Sequence, residues 1–462
     1  MTTPSYLSIL QPDLAGYQLI DSRHLFRRLT ALVFTITALH WSAVSAQDLL
    51  IRNAQIFDGI SDQLSTSQDV MVSNGLISEI GSQLNAPQGA IEIDAQNRVV
   101  MPGLINSHAH IMMQLPVGTA VSTDAFYWAY LSTEAAHILL DSGFTTIRDM
   151  SGNSFSLKRA IDQGIIKGPR IYPSGAMISQ TSGHSDHRTD ADTSRLLDPN
   201  SRSPLEALGM TVVADGRPEV LLAARENLRR GATQIKIAVG GGVASYSDPL
   251  DVTQYTVDEI RAAVEAAEDW GTYVAAHVYN SKGIRRAIEN GVKSIEHANL
   301  VDADTLKLMK DRGTWLSPQV LIFENEIIGL NADQREKQAQ AKNGIDQMMS
   351  NAKAIGYENI VFGADIVTNM GLLARINEEF ILRSRWFEPV EILRQVTSKG
   401  GELMSLSGPR NPYGKLGVIE VGAVADILIL EGNPLEDISV LSNPTENLKV
   451  IIKGGSVHKN DL

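Results

Sequence analysis

The sequence predicts a (β/α)8 barrel joined to a small β domain that the two ends of the chain build together. Three observations lead there. Short apolar runs alternate with helical stretches through the middle of the chain, metal-competent side chains stand at the ends of those runs, and strands with turns fill both termini.

The β-rich start shows alternation in Leu50-Ile51-Arg52-Asn53-Ala54 and in Ala90-Ile91-Glu92-Ile93-Asp94, punctuated by Gly59, Asn74-Gly75 and Gly81. The same texture returns in Ala425-Asp426-Ile427-Leu428-Ile429-Leu430, then across 448–453 before Gly454-Gly455. Residues 47–101 and 413–462 are therefore assigned to one β domain and 102–412 to the barrel. The predicted barrel strands are 99–105, 145–150, 170–175, 234–239, 272–277, 293–297, 314–318 and 359–365, with helical periodicity at 257–269, 282–290 and 303–312.

Strand–helix alternation also fits a doubly wound sheet, and the polar residues decide against it. His108 and His110 follow the first predicted strand, Lys236 lies on the fourth, and His277, His297 and Asp365 end the fifth, sixth and eighth. A barrel gathers those C-terminal ends on one rim around one cavity.

Before residue 47 the chain reads differently. Arg27 and Arg28 precede an apolar run over 29–39, and Val44-Ser45-Ala46 is a small-residue cleavage site. This is the order of a secretory signal peptide over 1–46, with an amphipathic single-pass anchor as the alternative. The run is short for a membrane span, so the expected product is secreted or periplasmic, with no stable membrane insertion.

Among 462 residues, 53 are acidic and 40 basic, a net charge of −13, which argues against a nucleic-acid partner. The chain has no cysteine. Disulfides, thiolate ligands and cysteine nucleophiles are excluded together, so a metal must be held by imidazole, carboxylate or a rarer group.

His108-Ala109-His110 puts two imidazoles on one side of an extended segment. His277 and His297 are either ligands or satisfied structural histidines, and their place at neighbouring strand ends favours ligands. Lys236 lies opposite Ile235 and Ile237, hence inward, where an ammonium is costly. Either it loses its proton and adds carbon dioxide to form a metal-bridging carbamate, or it pairs with an inward carboxylate such as Asp365. Asp365 suits a general base or a metal ligand. Arg148 reads as a structural cation paired with a nearby carboxylate, and Gly240-Gly241-Gly242 as a tight loop, since no Lys-Ser/Thr follows it.

These motifs resemble the amidohydrolase superfamily, in the imidazolonepropionase-like branch that holds metal-dependent Xaa-Pro dipeptidases and amino-acid carboxypeptidases. The resemblance rests on Val100-Met101-Pro102-Gly103-Leu104-Ile105-Asn106-Ser107-His108-Ala109-His110, Gly143-Phe144-Thr145-Thr146-Ile147-Arg148-Asp149 and Ile235-Lys236. It continues through Ala276-His277, Ser294-Ile295-Glu296-His297, Gly363-Ala364-Asp365 and the 425–430 run. It implies two divalent metal ions, zinc first: His108 and His110 on one, His277 and His297 on the other, carboxylated Lys236 bridging, and Asp365 at the first. It further implies a β-sandwich for the terminal domain and a homo-oligomer.

The expected reaction is hydrolysis of a dipeptide or N-acyl amino acid that carries a free carboxylate, releasing its C-terminal residue. Relatives with this loop chemistry include ochratoxin-degrading amidohydrolases. Asp365 is the expected proton carrier and Tyr279 an oxyanion donor or a loop tyrosine. His184, His187 and Arg188, in Ser182-Gly183-His184-Ser185-Asp186-His187-Arg188, either grip the substrate carboxylate or form a polar lid. Tyr279 is a further substrate contact. A cyclic amidohydrolase or deaminase and a non-catalytic barrel scaffold are the alternative functions.

Overall fold

Alternating burial turns the first apolar runs into strands. The computed structural model describes residues 47–120 and 122–462; the signal-peptide expectation over 1–46 lies outside the described residues. Strands β1 (Leu49–Ile56), β2 (Gln68–Ser73), β3 (Leu76–Gly81), β4 (Ile91–Asp94) and β5 (Val99–Pro102) open the chain. The β2–β3 turn is Asn74-Gly75, with φ of +52° and +78°, the pair of left-handed residues that a tight hairpin needs.

The middle supplies parallel strands. Strands β6 (Leu104–Ala109), β7 (Phe144–Asp149) and β8 (Arg170–Pro173) form one three-stranded sheet. Strands β9 (Met177–Ser179), β10 (Thr211–Val213), β11 (Ile235–Ala238), β12 (Val274–Asn280), β13 (Ser294–Leu300) and β14 (Trp315–Ser317) form a second, in the order β10-β9-β11-β12-β13-β14. Helices between them include Ala125–Asp141, Gly216–Arg229, Val257–Asp269, Ser281–Glu289 and Ala303–Asp311. Their starts are fixed by side chains that satisfy free N–H groups. Thr256 and Glu259 form a capping box, and Asn280 and Asp302 accept from Gly283 and Thr305.

Strands β15 (Ile427–Leu430), β16 (Leu448–Lys453) and β17 (Ser456–Asn460) return to the N-terminal strands. The result is one continuous eight-stranded sheet, β17-β16-β15-β5-β1-β2-β3 with β4 beside β1. The strands of the expected sandwich thus form one continuous pairing order, and the inward residues of its two halves share one buried cluster. Its two hairpins meet, because a Cβ on Gly455 would stand 3.0 Å from Val72. Along β15 the pleat divides two cores: Ile427 and Ile429 face the terminal cluster, while Leu428 and Leu430 face the main one.

The predicted strand 99–105 splits at Gly103, its first part joining the terminal sheet and its second starting the three-stranded parallel sheet. Strands β12 and β13 run past residues 277 and 297, the predicted ends, to Asn280 and Leu300, and β9 and β10 are additions. The predicted eighth strand, 359–365, is a correction. It is extended chain lodged between β14 and β6. Leu316 donates to Asn359 and receives from Val361, while Ser107 donates to Phe362 at 2.8 Å and Asp365 to His108 at 2.8 Å. The groups a regular ladder needs are engaged elsewhere: the Phe362 N–H by Gln395, the Ala364 N–H by Asn106 Oδ1, and the Val361 carbonyl by Arg383. Among the described residues the parallel strands do not pair into one closed ring. No described helix is long and apolar enough to cross a membrane.

Candidate metal centre

Four elements deliver one cluster of nitrogen and oxygen ligands. His108 lies in β6 and His110 one residue past it, with their Nε2 atoms 3.2 Å apart. The Asp365 carboxylate reaches both, Oδ1 standing 3.3 Å from His108 Nε2 and 3.0 Å from His110 Nε2. Gly363 permits that approach, since a Cβ there would stand 2.9 Å from the His108 Cβ. His297 joins from β13, with Nδ1 3.7 Å from Asp365 Oδ2. Ligand atoms of His108, His297 and Asp365 all lie within 4.8 Å of one another. His277, on β12, has its ring 4.5 Å from that of His297.

Two of these residues are aimed by strained backbone. Asp365 has φ of +52°, and His297 and Ala298 have +74° and +59°. Left-handed conformations of this kind cost about 1–3 kcal/mol each for non-glycine residues and collect at functional sites.

Hydrogen bonds to acceptor-only groups settle which imidazole nitrogens are bare. The carboxylate of Glu296 lies 2.8 Å from His108 Nδ1, so that nitrogen carries the proton and Nε2 is free. The Gly241 carbonyl, 3.1 Å from His277 Nε2, leaves the His277 Nδ1 free. Gln319 donates to the Ser317 carbonyl at 2.6 Å, so its oxygen is the atom 2.7 Å from His297 Nδ1. That leaves the His297 Nε2 free. Burial, with the neighbouring imidazoles and Lys236, holds His277 and His297 well below the usual imidazole range. Burial pushes Asp365 up, but the surrounding imidazoles of His108, His110 and His297 outweigh it and keep this carboxyl well below its ordinary value. Neutral imidazoles beside an ionised carboxylate are the donor set of a borderline divalent cation.

Lys236, on β11, is 1% exposed, and its Nζ has no hydrogen-bond partner. The pairing with Asp365 left open by the sequence is not formed. Burial lowers the amine to about 8. An orphaned, partly neutral amine among metal-competent ligands fits a group that is completed by an added carboxylate and a cation.

Arg148 takes the structural part expected of it. Its Nη2 donates to both oxygens of Glu296, at 2.8 and 2.9 Å, with both side chains fully buried. Burial pushes Glu296 up, yet Arg148, the His108 hydrogen bond and Lys236 hold it well below the carboxylate range.

The loop after β9 reaches the cluster unevenly. The His184 ring stacks on His277, with centroids 3.9 Å apart, and its Nδ1 lies 2.8 Å from Ser245 Oγ. Gly242 makes room, because a Cβ there would fall inside the His184 ring. His187 lines the same cavity and its buried Nδ1 has no partner. Arg188 is not brought in: its fork is held by Asp186 at 2.8 and 2.6 Å, and it does not line the cavity. Tyr279 lies in the wall with its ring 5.1 Å from that of His297, and burial pushes its hydroxyl well above the usual range, so it stays a donor.

The cavity over the cluster is about 910 Å³, its open mouth included. The sequence reading missed its apolar wall, which includes Leu115, Trp128, Leu205, Ile322 and Phe323. It also missed the orienting groups Glu296 and Gln319. Glu296 stood beside His297 in the quoted motif, a local signal; Gln319 and the apolar wall had none.

The profile of the amidohydrolase family matches residues 99–457. Ochratoxinase of Aspergillus niger is 30% identical over 417 residues, 84% of this chain and 82% of that protein. A prolidase solved with N-methylphosphonate-L-proline superposes with a TM-score of 0.83 at 33% identity, over 90% of this chain and 100% of the other. A Xaa-Pro dipeptidase solved with methionine in its active site gives 0.77 at 30% identity, again over 90% and 100%. The likeness implies a TIM barrel with an extra domain and a family that is typically metal-dependent. With the histidine and aspartate cluster in its predicted order along the chain, this protein belongs to the amidohydrolase family, in its Xaa-Pro dipeptidase-like branch, and is a hydrolase of carbon–nitrogen bonds.

Proposed function

We propose that this protein hydrolyses the amide bond of dipeptides or N-acyl amino acids, ochratoxin-type amides among them, and releases a C-terminal amino acid. The reading includes a closed (β/α)8 barrel, export through residues 1–46 and two divalent cations, zinc as first choice. The observation that carries it is the orphaned Lys236 Nζ, buried in the same cavity as six histidines and Asp365. In this reading Lys236 would carry a carbamate and serve as a ligand to both cations. His108, His110 and Asp365 would hold one cation, and His277 and His297 the other. Cations there would polarise the scissile carbonyl and make an attacking water more acidic.

The chain's own residues do the rest. Asp365 takes a proton from the attacking water and gives it to the departing nitrogen. The Tyr279 hydroxyl donates to the oxygen that gains charge. His184 and His187 receive the substrate carboxylate through ring N–H groups, and Arg188 braces their loop through Asp186. The apolar wall takes the acyl group and excludes water from the reacting carbonyl.

The test is a panel of N-acyl amino acids, dipeptides and cyclic imides, assayed for new amine after metal loading. Labelled bicarbonate should give a carbamate resonance that Lys236→Ala abolishes along with activity. Undiminished amide hydrolysis by metal-replete Lys236→Ala protein would sink the reading, and turnover confined to cyclic imides would replace it with a cyclic amidohydrolase.

A further inference from the structure

Trp128 lies in the first turn of the Ala125–Asp141 helix and is 2% exposed. One face of its environment is the cavity over the ligand cluster, between Leu115, Leu205 and Phe323. A second cavity, of about 770 Å³ with its mouth included, lies between this helix and the Phe155–Asp162 helix. Its walls include Leu157, Ala160, Ile166, Leu208 and Met210, with hydroxyls and one amide but no charged side chain. Among the described residues Trp128 is the one side chain that lines both spaces. Its indole Nε1 is buried without a hydrogen-bond partner among the described residues, whereas a buried indole N–H ordinarily finds one. An unpaired donor in a wall between two spaces is a group held ready for a ligand atom.

We infer that Trp128 is a partition that sets the size of the acyl group, and that the space behind it is a distal subsite for a long apolar acyl chain. The occupant is argued from continuity and chemistry. The two spaces share Trp128 as a wall residue, and the uncharged, largely apolar lining of the second suits methylenes. With the ring in place, the first cavity takes short or compact acyl groups, whose carbonyl or ether oxygen can accept from the indole. With the ring turned or removed, the two spaces join. This deepens the amide-hydrolase reading and rests on it for the identity of the substrate.

The experiment uses the full protein with Trp128→Ala, Trp128→Phe, and Trp128→Ala combined with Ala160→Phe, which refills the second cavity from its far wall. Two readouts are taken: kcat/KM on N-acetyl and N-dodecanoyl amino acids, and calorimetric binding of hexanoate and decanoate. Trp128→Ala should raise the dodecanoyl-to-acetyl ratio of kcat/KM, and the decanoate-to-hexanoate affinity ratio, about tenfold or more. Trp128→Phe, which preserves packing, should give a smaller shift in the same sense, and Ala160→Phe should cancel the gain. Unchanged ratios in folded variants, or a gain that survives Ala160→Phe, would overturn the partition. Absence of hydrolysis on every amide, with the binding ratios still shifted, would refute the substrate reading and leave the partition standing.

Discussion

Glu296→Gln removes one charge from a pair in which neither Glu296 nor Arg148 reaches solvent. Leaving a buried guanidinium without its counter-charge costs about 3–5 kcal/mol. Glutamine keeps one acceptor oxygen, so the lower end applies, against a total stability of about 5–15 kcal/mol. The substitution also has a chemical arm. Oε1 accepts from Arg148 and from Ser294 Oγ at 2.7 Å, so the glutamine oxygen takes that place and its NH2 turns to His108. His108 Nδ1 then has to accept, and the proton moves to Nε2, the nitrogen that faces His110 and Asp365. A protonated nitrogen is no ligand. Loss of such an orienting partner typically weakens metal affinity by about 10–100-fold. Urea unfolding of the metal-free variant reads the first arm, and competitive metal titration reads the second. A variant within about 1 kcal/mol of the parent that also binds cations equally well would refute both the energetics and the tautomer argument.

Tyr279→Phe should lower kcat by about 100-fold or more with KM little changed, as removal of an oxyanion donor does; an equal rise in KM would assign Tyr279 to substrate binding instead. Asp248 is raised by burial to about 6, from about 3.9 in the unfolded chain. The folded state therefore favours its protonated form, and that contribution is full below about pH 4 and lost as pH rises through about 6. Asp248→Asn should flatten this fall, by up to about 3 kcal/mol between those limits, in urea midpoints at pH 4 and pH 7; parallel pH profiles would count against it. Gly242→Ala should push His184 off His277, raising KM for carboxylate-bearing substrates far more than for a neutral amide of the same acyl group; equal effects on both would remove His184 from carboxylate recognition.

Much of the centre was legible because strand chemistry is local. Period two alone put Lys236 opposite Ile235 and Ile237, and it is 1% exposed. The order of His108, His110, His277, His297 and Asp365 along the chain suggested a shared rim. What sequence could not give is whatever depends on a partner distant in the chain. The 359–365 run has the apolar content of a strand but lacks a regular ladder, because Gln395, Asn106 and Arg383 engage its polar groups. Arg188 was misread for a local reason instead: it has the right chemistry for a carboxylate, yet Asp186, only two residues away in the chain, already occupies its fork.

By itself, then, the sequence determined that strands and helices alternate and which side chains are competent to hold a cation, since both follow from residue type and from spacing along one strand. Tertiary structure decided the aim: the left-handed turns at His297 and Asp365, the acceptors that leave one nitrogen bare on three imidazoles, and the tryptophan between two cavities. The reason is that direction and protonation are set by the nearest atoms in space, and here those atoms come from other strands and loops.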